Sequence, residues 1–176
     1  MIDFSRNHFE LFGLPSRYRI DDVALEHAYR ALQSDVHPDR HAAAGDAQKR
    51  QALQASARVN EAYRTLSDPV ARAEYLLRVR GVDATDETDT KLAVAFLTRQ
   101  LERREAADEA VDAHDESALA ALSKDVADDA ARLRADVERA LDGGDHETAR
   151  PLVRELRFLA KLAEDLDAMR AVELDG

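Results

Sequence analysis

The chain has 176 residues and a mass of 19.6 kDa, with 45% apolar and 35% charged residues. It contains no cysteine, which excludes disulfides, thiolate catalysis and cysteine-bound zinc or iron–sulfur clusters on this chain. An aromatic content of only 5% and many alanine, leucine, arginine and acidic residues favour helices over a large sheet. The net charge of −11 lies in the second half, because residues 1–81 hold 12 basic and 11 acidic residues whereas residues 82–176 hold 13 and 25.

The charge distribution and the motif content disfavour several classes of function. An acidic second half opposes nucleic-acid binding, because neutralising phosphates requires an excess of basic side chains. No run approaches the roughly 18 apolar residues of a membrane span, and the polar first residues carry no secretory signal, so a cytoplasmic protein without a membrane partner is expected. A glycine-rich phosphate loop and a Gly-x-Ser-x-Gly motif are both missing, which favours a non-enzymatic protein without a cofactor.

The first half of the sequence predicts four helices, the first of them short. They cover about residues 7–12, 21–36, 47–66 and 69–80. Asp21 can cap the second helix, Pro69 fits the first turn of the fourth, and Gly81 fits its end. Apolar residues at helical spacing are the buried candidates of the three longer helices: Leu25, Ala28, Leu32, Val36, Leu53, Ala55, Val59, Ala62, Tyr63, Leu66, Tyr75, Leu76 and Val79.

The second half predicts three long helices after an acidic connector at residues 83–89. The first of these helices covers about residues 90–113 and carries Leu92, Phe96, Leu97 and Leu101. The second has a single apolar stripe made of Leu119, Leu122, Val126, Ala130, Leu133, Val137 and Leu141. The third carries Leu152, Leu156, Leu159, Leu166 and Met169, and it begins or kinks near Pro151. Because no helix can bury its stripe alone, the three are expected to pack antiparallel as a small bundle.

The tripeptide His37-Pro38-Asp39 lies between the second and third predicted helices. Pro38 cannot occupy a helix interior and biases His37 away from helical angles, so the tripeptide is expected at an exposed loop tip. Such a restricted polar tip suits recognition, although the tripeptide alone is more simply interpreted as an ordinary loop that ends a helix. His37, Asp39 and His41 also lie close together, but without a further strong ligand nearby they do not predict a metal site.

The sequence around this loop changes that interpretation. Residues 28–32 (AYRAL) precede the loop, residues 59–69 (VNEAYRTLSDP) follow it, and residues 9–14 (FELFGL) lie further upstream. With these segments the first half resembles a J-domain through its whole length. Residues 72–77 (RAEYLL) and 156–159 (LRFL) resemble more specifically the HscB family, the J-domain co-chaperones of bacterial iron–sulfur cluster assembly. The resemblance covers nearly the full chain.

The resemblance implies an all-α protein with a J-domain in residues 1–81 and a three-helix bundle in residues 82–176. The J-domain would engage HscA, a DnaK-like chaperone, and stimulate ATP hydrolysis there. The bundle would hold IscU, the scaffold on which iron–sulfur clusters are built. Because the hydrolytic site lies on the partner, the chain is not expected to be an enzyme. The alternative is a J-domain adaptor that delivers a different client to a DnaK-type chaperone.

The resemblance also assigns residues to two docking surfaces. The chaperone-binding residues are expected to be His37, Pro38, Asp39, Arg30 and Arg40. The scaffold-binding residues are expected to be Leu97, Leu101, Glu102, Glu105, Glu109 and Phe158. An apolar centre with an acidic rim suits protein docking, but leucines at helical spacing fit the core of the bundle as well. Thr98 stands where the family often carries a larger apolar residue, which would make the patch smaller.

Overall fold

The structure, a computed structural model, describes residues 3–36, 45–84 and 92–175, with side chains up to residue 172. The described residues contain seven α-helices and no strand, so the predicted all-α class is confirmed. The helices are α1 (His8–Leu11), α2 (Asp22–Val36), α3 (Asp46–Ser67), α4 (Pro69–Val79), α5 (Val94–Asp112), α6 (Glu116–Asp142) and α7 (His146–Asp175). They fall into two compact units, Met1–Gly81 and Val82–Gly176. No helix of the described part is long and apolar enough to cross a membrane.

In the first unit, α1, α2 and α4 begin at side-chain caps. The side chain of Asn7 accepts a hydrogen bond from the backbone N–H of Glu10, whose carboxylate in turn accepts from the backbone N–H of Asn7. Asp21 accepts from two backbone N–H groups in the first turn of α2, both at 3.0 Å, which confirms its predicted role as a cap. Asp68 accepts from one backbone N–H group in the first turn of α4, where Pro69 occupies the first turn as predicted.

The first unit has a core that α1, α2, α3 and α4 share. Its buried apolar side chains are Phe9, Phe12, Tyr18, Leu25, Val36, Ala52, Ala55, Val59, Ala62, Leu66, Ala73, Tyr75, Leu76 and Leu77. Helices α2 and α3 pack against each other, with the rings of Tyr29 and Tyr63 stacked 4.0 Å apart. The hydroxyl group of Tyr29 donates a hydrogen bond to Asn60 on α3.

Arg72 is a buried charged residue in this core. Its guanidinium group donates to the backbone carbonyl oxygens of Leu66 at 2.7 Å and Tyr18 at 3.1 Å. It also lies over the ring of Tyr18 and reaches the carboxylate of Asp22 at 3.4 Å. One side chain of α4 therefore ties together the end of α3, the segment before α2 and the first turn of α2.

Two residues of the first unit that were predicted to be buried are exposed. The side chain of Leu53 is 63% exposed, and that of Val79 is 38% exposed. Ala52 and Ala55 supply the buried face of this part of α3 instead, and Leu53 lies about 100° further around the helix than Ala52. The small alanine side chains therefore face the core here, although the neighbouring leucine is more hydrophobic.

In the second unit α6 and α7 pack extensively against each other, and α5 lies against α6 and, less extensively, α7. The buried apolar residues of α6 and α7 are Leu119, Val126, Ala130, Val137, Ala140, Leu141, Ala149, Val153, Leu156, Leu159, Leu162 and Leu166. The predicted stripe of α6 is therefore confirmed in most of its positions, while Leu122 and Leu133 are half-buried.

The two turns of this unit have closely similar backbones. Each contains a residue in the left-handed region, His114 with φ 51° before α6 and Gly144 with φ 78° before α7. An aspartate then caps the next helix: Asp115 accepts from the N–H of Ala118, and Asp145 from that of Thr148. Hydrogen bonds from Thr148 lower the pKa of Asp145, which keeps this cap ionised.

The start of α5 differs from the sequence prediction, and the start of α7 lies five residues before Pro151. Helix α5 begins at Val94 rather than near residue 90, which lies outside the described residues, because Ala93 has an extended backbone with ψ 133°. Helix α7 begins at His146, so Pro151 lies inside the helix, close to its start. Residues 83–84, which precede α5 in the sequence, are held to α7 by two arginine side chains. Arg150 and Arg154 donate to the carbonyl oxygens of Asp83 and Ala84, each at 2.9 Å.

Candidate functional site

Helix α5 turns polar residues toward the bundle and apolar residues toward solvent. Gln100 and Arg103 are only 4% and 5% exposed, whereas Leu97 is 42%, Leu101 60% and Val94 79% exposed. At about 100° per residue, Leu101 lies about 160° and Val94 about 180° around the helix from Arg103. The usual polarity of a surface helix is therefore reversed at these five positions of α5.

Arg103 is held inside by carboxylates of α6. Its Nε and Nη2 atoms donate to Asp125 at 3.0 and 2.5 Å, Nη2 also donates to Asp129, and Nη1 donates to the side-chain oxygen of Gln100. Asp129 additionally accepts from Arg132. Burial raises the pKa of Asp129, but the hydrogen bonds from Arg103 and Arg132 outweigh burial, so its pKa lies below the usual value. The carboxylate therefore stays ionised beside the buried guanidinium group.

The three apolar residues predicted to bind the scaffold are all exposed. Leu97 and Leu101 lie on α5, and Phe158, which is 41% exposed, lies on α7. The ring of Phe158 meets the ring of half-buried Phe96 edge to face, with centroids 5.7 Å apart, which places it beside the first turn of α5. The alternative interpretation of Leu97 and Leu101 as bundle core is wrong, because Gln100 and Arg103 occupy the inward positions.

The predicted acidic residues flank this apolar group. Glu102, Glu105 and Glu109 are exposed and follow Leu101 within about two turns of α5. We use the name outer face of α5 for the exposed side that carries Val94, Leu97, Leu101 and these three glutamates. Its chemistry is an apolar start followed by negative charge, which suits a protein partner with an apolar patch and basic residues nearby.

Val94 belongs to this face, but the sequence prediction did not include it. The signal was present, because Val94 precedes Leu97 by three residues and Leu101 by seven, which is the spacing of one helical face. The exposed side chain of Val94 extends the apolar patch by a turn toward the start of α5. Thr98 is exposed on the same side, so the smaller residue lies within the patch rather than in the core.

Little of the predicted chaperone-binding surface falls in the described part of the chain. His37, Pro38, Asp39 and Arg40 lie outside the described residues. Arg30 is exposed on α2 and pairs with Glu26 one turn earlier, so part of its positive charge is neutralised locally. Among the described residues no group of three histidine, aspartate or glutamate side chains could hold a metal ion.

Comparisons with known proteins match a different family model to each half of the chain. Residues 7–75 match the family model of the DnaJ domain, and residues 92–167 match that of the HSCB C-terminal oligomerisation domain. A co-chaperone protein HscB homolog of Burkholderia multivorans is 47% identical over 171 residues, which are 96% of each chain. The two family models thus occur in the order in which the two units follow each other.

Solved structures are similar over most of the chain. The chaperone HscB from Vibrio cholerae is 36% identical with a TM-score of 0.82, and the match covers 93% of this chain and 96% of that one. The human co-chaperone protein HscB is 28% identical with a TM-score of 0.89, covering 95% of this chain and 83% of that one. Together with the family models and the curated relative, these matches show that the chain belongs to the HscB family of J-domain co-chaperones.

Proposed function

We propose that this chain links the scaffold IscU to the chaperone HscA during iron–sulfur cluster assembly, with the outer face of α5 and Phe158 as the scaffold-binding site. Membership of the HscB family supports the co-chaperone role, and the DnaJ-domain match supports a DnaK-type ATPase as one partner. The observation that carries the scaffold site is the exposure of Leu97, Leu101 and Phe158 on a bundle whose α5 turns Arg103 inward.

The energetic basis of scaffold docking is burial of the exposed leucine surface. Complete burial of a leucine side chain stabilises by about 1.5–3 kcal/mol, so the 60% of Leu101 that is exposed can contribute about 1–2 kcal/mol when a partner covers it. Exposed Leu97 and Phe158 add smaller amounts. Glu102, Glu105 and Glu109 would attract a basic rim on the scaffold and set its orientation more than its affinity.

Docking on the ATPase is assigned to residues 37–40, which follow α2 in the sequence, and to Arg30 on α2. The carboxylate of Asp39 can accept charge-assisted hydrogen bonds from an arginine of the chaperone, while His37 donates beside it and Pro38 restricts the backbone. Arg30 and Arg40 add positive charge for an acidic groove on the partner. ATP is hydrolysed on the chaperone, so this chain has no catalytic residue of its own in the proposal. The cytoplasmic location expected from the sequence remains a prediction.

The scaffold site is tested with Leu101→Ala in the full chain, measured by calorimetric binding to purified IscU. Leu53→Ala is the matched control, because Leu53 is 63% exposed but lies in the other unit. Leu101→Ala should lose about 1.4 kcal/mol of binding free energy, so its affinity for IscU should be about tenfold weaker. The control should bind like the unchanged chain. Equal affinities for the two variants would contradict the site.

The chaperone arm is tested separately with His37→Gln. This variant should lose stimulation of HscA ATPase activity and keep its affinity for IscU. If the unchanged chain stimulates HscA but binds no IscU at high micromolar concentration, the alternative of a different client is favoured. If it gives no stimulation of HscA at all, the co-chaperone proposal fails.

A further inference from the structure

The reversed polarity of α5 needs a physical cause. A helix on the surface of a bundle normally turns its apolar side inward, because burial of leucine is favourable and burial of arginine is not. Leu97 lies only about 60° around α5 from inward-facing Gln100. A modest rotation of α5 about its axis would therefore bring Leu97 against the bundle and carry Arg103 toward solvent.

The contacts of Arg103 oppose this rotation. The side chain of Arg103 is 6% exposed and that of Asp129 is 14% exposed, so Arg103 is buried and Asp129 is largely shielded from solvent. Rotation would part Arg103 from Asp129 and Asp125 and would also displace Arg99, another α5 residue, from its 3.5 Å contact with Asp129, which would leave Asp129 with Arg132 of its own helix among the described partners. Removing one partner of a buried ion pair is strongly unfavourable, and the pair therefore selects one orientation of the helix.

We propose that Arg103, through its pairing with Asp129 and Asp125, is a positioning residue that keeps Leu97 and Leu101 on the solvent side of α5. The pair acts on orientation and makes no contact with the partner. The consequence for scaffold binding rests on the proposed function, whereas the consequence for orientation does not.

Orientation is measured by thiol labelling, since the chain has no cysteine of its own and Leu97→Cys introduces a single one. The test variant adds Arg103→Gln and Asp129→Asn together, so that uncharged polar side chains replace the ion pair without leaving either charge alone and without placing an apolar side chain on the inward side of α5. The rate at which a maleimide labels the cysteine at position 97 should fall about tenfold or more. A tenfold fall corresponds to a free-energy difference of about 1.4 kcal/mol in favour of the orientation of α5 in which position 97 is covered. Leu53→Cys in the same background is the matched control, and its rate should not change.

The consequence for the partner is measured with Leu97 intact. Arg103→Gln/Asp129→Asn should remain folded by circular dichroism and urea unfolding and should bind IscU at least about tenfold more weakly. Arg103→Lys keeps the charge and should restore most of the affinity and of the labelling rate. If the unchanged chain does not bind IscU, the proposed function fails, while a fall in labelling would still support the positioning role.

A stable double variant with unchanged labelling at position 97 overturns the inference, since Arg103 would then only fill space. If the double variant does not fold, the same labelling measurement is made with Asp129→Asn, which changes only one partner of the pair and keeps its size. In that variant slower labelling at position 97 supports the inference, and an unchanged rate overturns it.

Discussion

His8 offers a quantitative test of the packing in the first unit. Its side chain is almost completely buried and stacks on the ring of Tyr75, with centroids 4.1 Å apart and planes 8° from parallel. Neither ring nitrogen has a hydrogen-bond partner among the described residues. Burial, with a contribution from nearby Arg58, lowers the pKa of His8 from 6.5 to about 4. The imidazole therefore acts as a neutral aromatic ring at neutral pH.

The lowered pKa makes stability depend on pH. In the unfolded chain His8 takes up a proton as the pH falls below about 6.5, whereas in the folded chain it resists protonation until about pH 4. The unfolded state thus binds more protons in this window, and stability falls as the pH falls. A difference of about 2.5 pKa units corresponds to about 3 kcal/mol, which is lost completely below pH 4 and by about 2 kcal/mol at pH 4.5.

The variant His8→Phe keeps an aromatic ring over Tyr75 and removes the titrating group. Urea unfolding of both proteins from pH 7 to pH 4.5 should show a stability difference that grows by about 2 kcal/mol in favour of the variant. Any cost of fitting the larger ring is the same at each pH and cancels from this comparison. Curves that stay parallel within about 0.5 kcal/mol would refute the assignment of the pH dependence to His8.

Two further predictions concern stability. Arg72→Met should lower the free energy of unfolding by about 2–4 kcal/mol, because the buried carbonyl oxygens of Leu66 and Tyr18 lose their donors; a urea-derived loss under about 1 kcal/mol would contradict this role. His114→Gly should stabilise by about 1 kcal/mol, because His114 has a left-handed backbone where the equivalent turn uses Gly144; a lower thermal midpoint would be the opposite result.

Local signals in the sequence were enough to predict the helices and several of their ends. Asp21 and Pro69 predicted helix starts correctly, because capping and proline geometry depend on neighbouring residues alone. The stripe from Leu119 to Leu141 predicted the buried side of α6, because most of its members follow one helical face. The start of α5 was placed too early, since nothing polar marks its cap at Ala93.

The orientation of α5 could not be predicted from its own sequence. Its apolar residues suggest one inward side, but the observed inward side contains Arg103, whose burial depends on Asp129 on another helix. Such a pairing between distant positions leaves no trace in helical periodicity. The family resemblance nevertheless gave the exposed residues Leu97, Leu101 and Phe158, whereas Val94 was missed because the resemblance did not include it.

The uneven packing of the bundle affects how it opens. Helices α6 and α7 share a continuous apolar core, while α5 is attached through ionic contacts and small side chains such as Ala107 and Ala110. Few buried apolar contacts mark the segments that open locally at low free energy, so backbone amides of α5 are expected to exchange with solvent before those of the other two helices. A partner that binds the outer face of α5 would then suppress this local opening, and docking would make the bundle more rigid.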